Sequence, residues 1–468
     1  MSKVYVFGIG GTGSRVLRSL TMLLASGVEC AADTIVPIII DPDAAGGDVE
    51  RTATLMRHYT EVRNRLNFSS DFKNKFFRTE IKKIMPNYHL PLANTEDCLF
   101  EEFIDFTGMT RENQALASLL FSKKNLNSDM KVGFKGNPNV GSVVLNQFDK
   151  SEEFNNFANE FTAEDKIFII SSIFGGTGAS GFPLLLKTLR ESDSIVNQGL
   201  VNNANIGAIT VLPYFKVKQD ENSAIDSATF VSKAKSALAY YNRTISRLNA
   251  VDYLYYIGDD TRSTTYDNCE GGTNQKNNAH FIELASALAI IDFANQDKPE
   301  STVHKEFGIQ EDTNEIIFEE LGNTTKRQIR ASMTQFELFA KYMDETDDYL
   351  RRPWAKDRQF NQTFFDGDFV KVLKRDILQN YLSWISELST QDRAFLPFEI
   401  HRDSKRVFDL VKGVKQRSLM TLDSNYDLYN KFLDKYSEKI KNGDKSQQFM
   451  ELFYEATKNL VKEKFNIE

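Results

Sequence analysis

The chain has 468 residues, 41% of them hydrophobic, with 57 Lys and Arg against 65 Asp and Glu for a formal net charge of −8. That length suits two or three domains with sizeable cores, and the negative balance argues against nucleic acid or an anionic membrane surface as the main partner. No apolar run reaches the roughly 18 residues of a membrane span, the start lacks a signal-peptide core, and three scattered cysteines with five scattered histidines support neither a disulfide framework nor a zinc site, so the expected compartment is the cytoplasm.

Lys3 to Phe7 reads as a strand that runs into Gly8-Ile9-Gly10-Gly11-Thr12-Gly13-Ser14 and then a helix to Ala25. Glycines let backbone N–H groups crowd together, and the helix start adds unpaired amides and the positive end of its dipole, so the junction suits phosphate. The spacing Gly8-x-Gly10-x-x-Gly13 also fits a dinucleotide fingerprint, a motif of low specificity on its own. The next strand, Ile35 to Ile40, ends in Asp41-Pro42-Asp43. Asp41 is a candidate nucleotide contact and Asp43 a candidate Mg²⁺ ligand, although acids before Pro are equally expected as turn formers.

Helices are expected over Asp48 to Leu66 and Arg111 to Leu120, with a less regular stretch at Tyr88 to Glu102. Gly133 to Gly141 then forms a Gly/Asn-Pro loop before a short helix at Ser142 to Phe148; Gly136, Asn137 and Asn139 are candidates to approach a terminal phosphate. The most informative stretch is Ile167 to Leu189, where an apolar strand enters Gly175-Gly176-Thr177-Gly178-Ala179-Ser180-Gly181 and a second helix. A P-loop would place Gly-Lys-Ser/Thr there, but Phe182-Pro183-Leu184 follow instead, so backbone amides and the hydroxyls of Thr12, Ser14, Thr177 and Ser180 would hold the phosphates. Two such junctions suggest two helix N-termini converging on one polyphosphate; the alternative is a pair of ordinary tight turns in an α/β sheet.

Further along, a strand over Ile206 to Leu212 precedes Pro213 and Phe215, and Asn277-Asn278 opens an amphipathic helix with Leu284, Leu288 and Ile291 on one face. A hairpin is expected from Glu306 to Leu321 around Asp312-Thr313-Asn314, followed by helices. Three apolar stripes at helical spacing assign the back half to packing: Ile329, Met333, Phe336, Phe339 and Met343; Leu373, Ile377, Tyr381, Ile385 and Leu388; Phe449, Leu452, Phe453, Ala456 and Leu460. The expected division is a nucleotide-binding α/β domain over 1–276, a central helix over 277–296, and a mostly helical C-terminal domain with a short hairpin over 297–468.

Phosphate loop, acidic strand end, Gly/Asn-Pro loop and GGTG loop in this order resemble the tubulin and FtsZ superfamily, through the central helix. The resemblance implies a doubly wound, mostly parallel sheet, bound GTP or GDP with Mg²⁺ on its phosphates, and head-to-tail self-association in which a loop of one subunit completes its neighbour's site. That loop is Asn295-Gln296-Asp297-Lys298-Pro299, with Asp297 as the catalytic carboxylate that orients water; Asp297 also reads as an ordinary solvated helix-end residue. Departures from the pattern are Phe174 and Ala179 in the GGTG loop, a third loop shorter by one residue, and no second acid after Asp297 unless Glu300 replaces it.

Arg15 stands where FtsZ has a guanine-contacting Asn, which weakens the case for GTP over ATP. Asn277 or Asn278 would supply a base contact or serve as N-caps. The helical back half is either a diverged activation domain or a module for a protein partner. Two other readings stay open: a non-hydrolysing GTP/GDP-binding scaffold or sensor, and a Rossmann dinucleotide or adenylating enzyme, which leaves residues 175–181 unexplained.

Overall fold

In the computed structural model the described residues are 2–69, 71–95, 97–134, 136–219, 227–246, 248–260, 264–267, 272–273, 275–306, 313–346, 348–399, 410–414, 425–440 and 443–467. Apolar runs become strands: β1 (Lys3–Ile9), β2 (Thr34–Ile40), β3 (Glu80–Ile81), β4 (Lys166–Ser172), β5 (Asn205–Val211), β6 (Lys216–Val217), β7 (Tyr253–Ile257), β8 (Thr265–Tyr266), β9 (Val303–Glu306), β10 (Glu315–Ile316) and β11 (Ala394–Phe395). Seven of them make one sheet in the order β3-β2-β1-β4-β5-β7-β9, and every neighbouring pair is parallel. β2 and β5 are buried at every position, which is why they read as unbroken apolar runs rather than alternating ones.

The principal helices are α1 (Gly10–Ala25), α2 (Gly47–Arg63), α3 (Pro138–Val144), α4 (Gly176–Glu191), α5 (Phe230–Tyr241), α6 (Phe281–Ala294), α7 (Asn323–Glu345), α8 (Gln379–Ser389), α9 (Asn425–Ser437) and α10 (Lys445–Leu460). Helices cover both faces of the sheet, and the doubly wound α/β class expected from the sequence is present. α1 can start directly at the end of β1 because Gly8 and Gly13 nearly touch: a Cβ on Gly13 would fall 2.4 Å from the Gly8 carbonyl carbon. α3 begins earlier than Ser142, with Pro138 in its first turn, where a missing N–H costs nothing.

The hairpin expected from Glu306 to Leu321 lies largely outside the described residues, which omit 307–312; of its flanks, β9 joins the main sheet beside β7 and β10 pairs with β11. The α/β unit consequently does not end ahead of the central helix, since β9 returns to the sheet after α6. The central helix itself is α6, capped by His280 rather than by Asn277 or Asn278: the His280 Nδ1 accepts the Ile282 N–H at 3.1 Å and Glu283 accepts the His280 N–H at 3.1 Å. Burial, with Arg15 and Arg393 nearby, pushes the His280 imidazole down to about 3, so it is neutral and can accept.

All three stripes of the back half are buried. Phe339 of α7 and Phe453 of α10 have ring centroids 4.5 Å apart, and Phe76, from the sheet unit, contacts Phe336 at 5.1 Å and Tyr454 at 5.2 Å. Trp384 of α8 donates to Ser19 of α1 at 3.3 Å. One apolar cluster thus runs through both halves.

Candidate nucleotide-binding site

β1 and β4 are adjacent, so their carboxyl ends deliver the two glycine turns side by side. Gly10 has φ of +72°, a conformation that favours glycine, and a Cβ on it would lie 3.5 Å from Thr177 Cβ and 3.8 Å from the Gly178 nitrogen. The third loop closes the ring, because a Cβ on Gly176 would lie 3.0 Å from the Gly136 nitrogen and 3.1 Å from the Asn137 nitrogen. Neither α1 nor α4 has a side-chain cap or an acid in its first turn. Two helix N-termini therefore face each other with their first amides and dipoles uncompensated by carboxylates, an arrangement suited to an anion.

Gly11, Gly175, Thr177, Ala179, Gly136 and Asn137 are partly exposed, and Asn139 is exposed. Gly10, Thr12, Gly13, Ser14, Gly176, Gly178 and Ser180 are buried. The Ser14 and Ser180 hydroxyls donate back to Gly10 and Gly176 carbonyls. One residue that the sequence did not single out sits here: Lys233 of α5 donates to the Gly136 carbonyl at 3.0 Å. A lone Lys on an amphipathic helix gives no signal of such a role.

Arg15 does not point to open space. It is 5% exposed, and its guanidinium donates to Glu283 at 2.6 Å, Asp48 at 3.1 Å, Tyr214 at 2.9 Å and Thr12 at 3.4 Å. Burial alone would depress its pKa, but Tyr214, Glu283 and Asp48 hold it well above the ordinary value. The network extends outward: Arg51 bridges Asp48 and Glu387, and Glu387 takes two bonds from Arg18 and one from the Ala279 N–H at 2.8 Å. Thr12 in the first phosphate loop is thereby linked through four charged side chains to α8 in the helical half.

The acidic strand end is also inside. Burial pushes Asp41 up to about 7, with the Asp43 amide pulling against that and Asp43 and Asp48 adding to it. Asp43 accepts the Gly272 N–H through Oδ2 at 2.6 Å, fastening the segment ahead of the central helix to the second loop. Among the described residues no group of three His, Cys, Asp or Glu side chains could hold a metal ion. Asn277 and Asn278 are engaged through their carbonyls, with Arg51 and Tyr266.

Asp297 lies at the other edge of the sheet. Its carbonyl accepts from Tyr253, the first residue of β7, at 2.9 Å, and Lys166, the first residue of β4, donates to the neighbouring Gln296 carbonyl at 2.6 Å. Seven residues of strand separate that edge from the glycine turns, roughly 23 Å, and α6 spans a similar distance of about 21 Å. Asp297 is exposed there and cannot reach the turns of its own chain.

The chain is similar to two solved CetZ structures. CetZ2 from Haloferax volcanii, in a GTPgS-bound protofilament, is 15% identical with a TM-score of 0.31 over 62% of this chain and 58% of that one. CetZ from Methanosaeta thermophila strain DSM 6194 is 16% identical with a TM-score of 0.24 over 63% and 51%. The chain thus spans little more than half the length of these proteins, and at such TM-scores the likeness carries nothing about chemistry. No protein-family model and no curated protein matches the chain. No helix among the described residues is long and apolar enough to cross a membrane.

Proposed function

We propose that the chain binds GTP or GDP where the Gly10, Gly136 and Gly176 loops meet, and hydrolyses GTP when copies stack head to tail. The observation that carries this reading is the pair of acid-free, uncapped helix N-termini facing each other across Gly10 and Thr177. Backbone amides and two converging dipoles hold the phosphates, and glycine is required because any side chain would fill the cradle. Mg²⁺, bound on the phosphates, would supply the remaining charge neutralisation, with Asp43 as a protein-side carboxylate anchored by Gly272.

Asp297 stands on the opposite edge, so its carboxylate would orient water only in a neighbour's site. Turnover per molecule should therefore rise with protein concentration. Asp297→Ala should abolish turnover while keeping nucleotide affinity, and mixing it with a Gly176→Val copy, which lacks a site but retains Asp297, should restore part of the activity. Tight nucleotide binding with flat, negligible turnover at every concentration would replace this reading by the scaffold one.

A further inference from the structure

At the edge of the sheet remote from the glycine turns, a cleft of about 1520 Å³ opens between the C-terminal end of α1, the starts of β2 and β3, and helices α7 and α10. Seven Lys and Arg side chains line it against three acids, Glu29, Asp33 and Glu80, in a chain whose net charge is −8. The acids are engaged: Glu29 pairs with Lys75, Glu80 accepts from Thr34 at 2.9 Å, and Asp33 accepts from the Ser2 N–H at 3.2 Å. Arg63, Lys73, Arg78, Arg327 and Lys458 form no ion pair among the described residues. Arg63 and Lys458 occupy the last turns of α2 and α10, where they also offset helix dipoles. Arg327 donates through Nε to the Asn323 carbonyl one turn back at 3.2 Å, Lys73 favours the ionised form of nearby Glu451, and Arg78 has no such role.

A cleft focuses the field of unneutralised cations, and three guanidiniums around one opening suit oxyanions with several oxygens.

We propose that this cleft binds a small polyanion of the bisphosphate class, its phosphates on Arg78, Arg327 and Lys73. Such a ligand would bridge the sheet to α7 and α10. Calorimetric titration of fructose 1,6-bisphosphate into the full chain should give one saturable site that weakens steeply with salt. Arg78→Gln/Arg327→Gln, both exposed positions, should weaken it at least tenfold, while Gly176→Val should leave it unchanged, which separates this cleft from the glycine turns. No saturable binding at millimolar concentration, or equal affinity in the Arg78/Arg327 double variant, overturns the proposal.

Discussion

The two edges of one sheet handle positive charge in opposite ways. At the carboxyl edge, Arg15, Arg18 and Arg51 are each locked to carboxylates, and the surface left for an anion is backbone. At the amino edge Arg63, Arg78 and Arg327 line the cleft with no ion pair among the described residues, and the surface for an anion is made of side chains. A buried guanidinium that lost its partners would cost several kcal/mol, so the carboxyl edge spends its arginines on joining α1, α2, α6 and α8, and leaves recognition to glycine amides. Solvated cations cost little to leave unpaired.

The strongest way to break this contrast is Arg15→Ala, which leaves Glu283 buried without its guanidinium and Asp48 with Arg51 alone. Unfolding in denaturant should show a loss of about 3–5 kcal/mol; a loss under 1 kcal/mol would mean the network is ornamental. Next comes Gly176→Val, whose added atoms meet the Gly136 and Asn137 nitrogens. Nucleotide affinity should fall about 100-fold, roughly 2.7 kcal/mol, and because the Gly136–Asn137 backbone must shift to admit the side chain, the nucleotide-free protein should also melt lower.

A smaller effect comes from a buried acid that neither edge neutralises. Burial pushes Glu337 of α7 up to about 7, opposed by Lys341, and the nearest approach of that lysine is 3.9 Å. Because the folded pKa is raised above the unfolded one, its contribution is fully present below about pH 4.5 and is lost as pH rises through about 7. Glu337→Gln should flatten the fall in stability between pH 5 and 8 by about 1–3 kcal/mol; identical pH profiles would show that the carboxyl is ionised in the fold without penalty. Smallest of all, Arg78→Ala should change stability by less than about 0.5 kcal/mol, and a larger loss would show that the amino-edge cations are structural after all.

The sequence made the glycine turns, the strand ends and the helical stripes legible because each is local: a turn needs its glycines within a few residues, and a buried strand or helix face has its own period. The ion network was not legible. Arg15 meets Glu283, Asp48 and, through Arg51, Glu387, and nothing near any of them in the chain announces the others. The return of β9 to the main sheet was not legible for the same reason, since it is short, three of its four residues are polar, and its partner is Tyr253–Tyr256. The cap of the central helix was sought in Asn277 and Asn278, the usual capping type, whereas a neutral His280 performs that task.

The return of Val303–Glu306 to the sheet also bears on where the polypeptide can be cut. A fragment ended at Ala294, tempting as a minimal nucleotide-binding unit, would strip β7 of its outer neighbour and expose a row of tyrosine-flanked amides and carbonyls to solvent. Bare edges of that kind recruit other chains, so such a fragment should precipitate or pair non-specifically, and any oligomer it forms would report the wound rather than the native assembly.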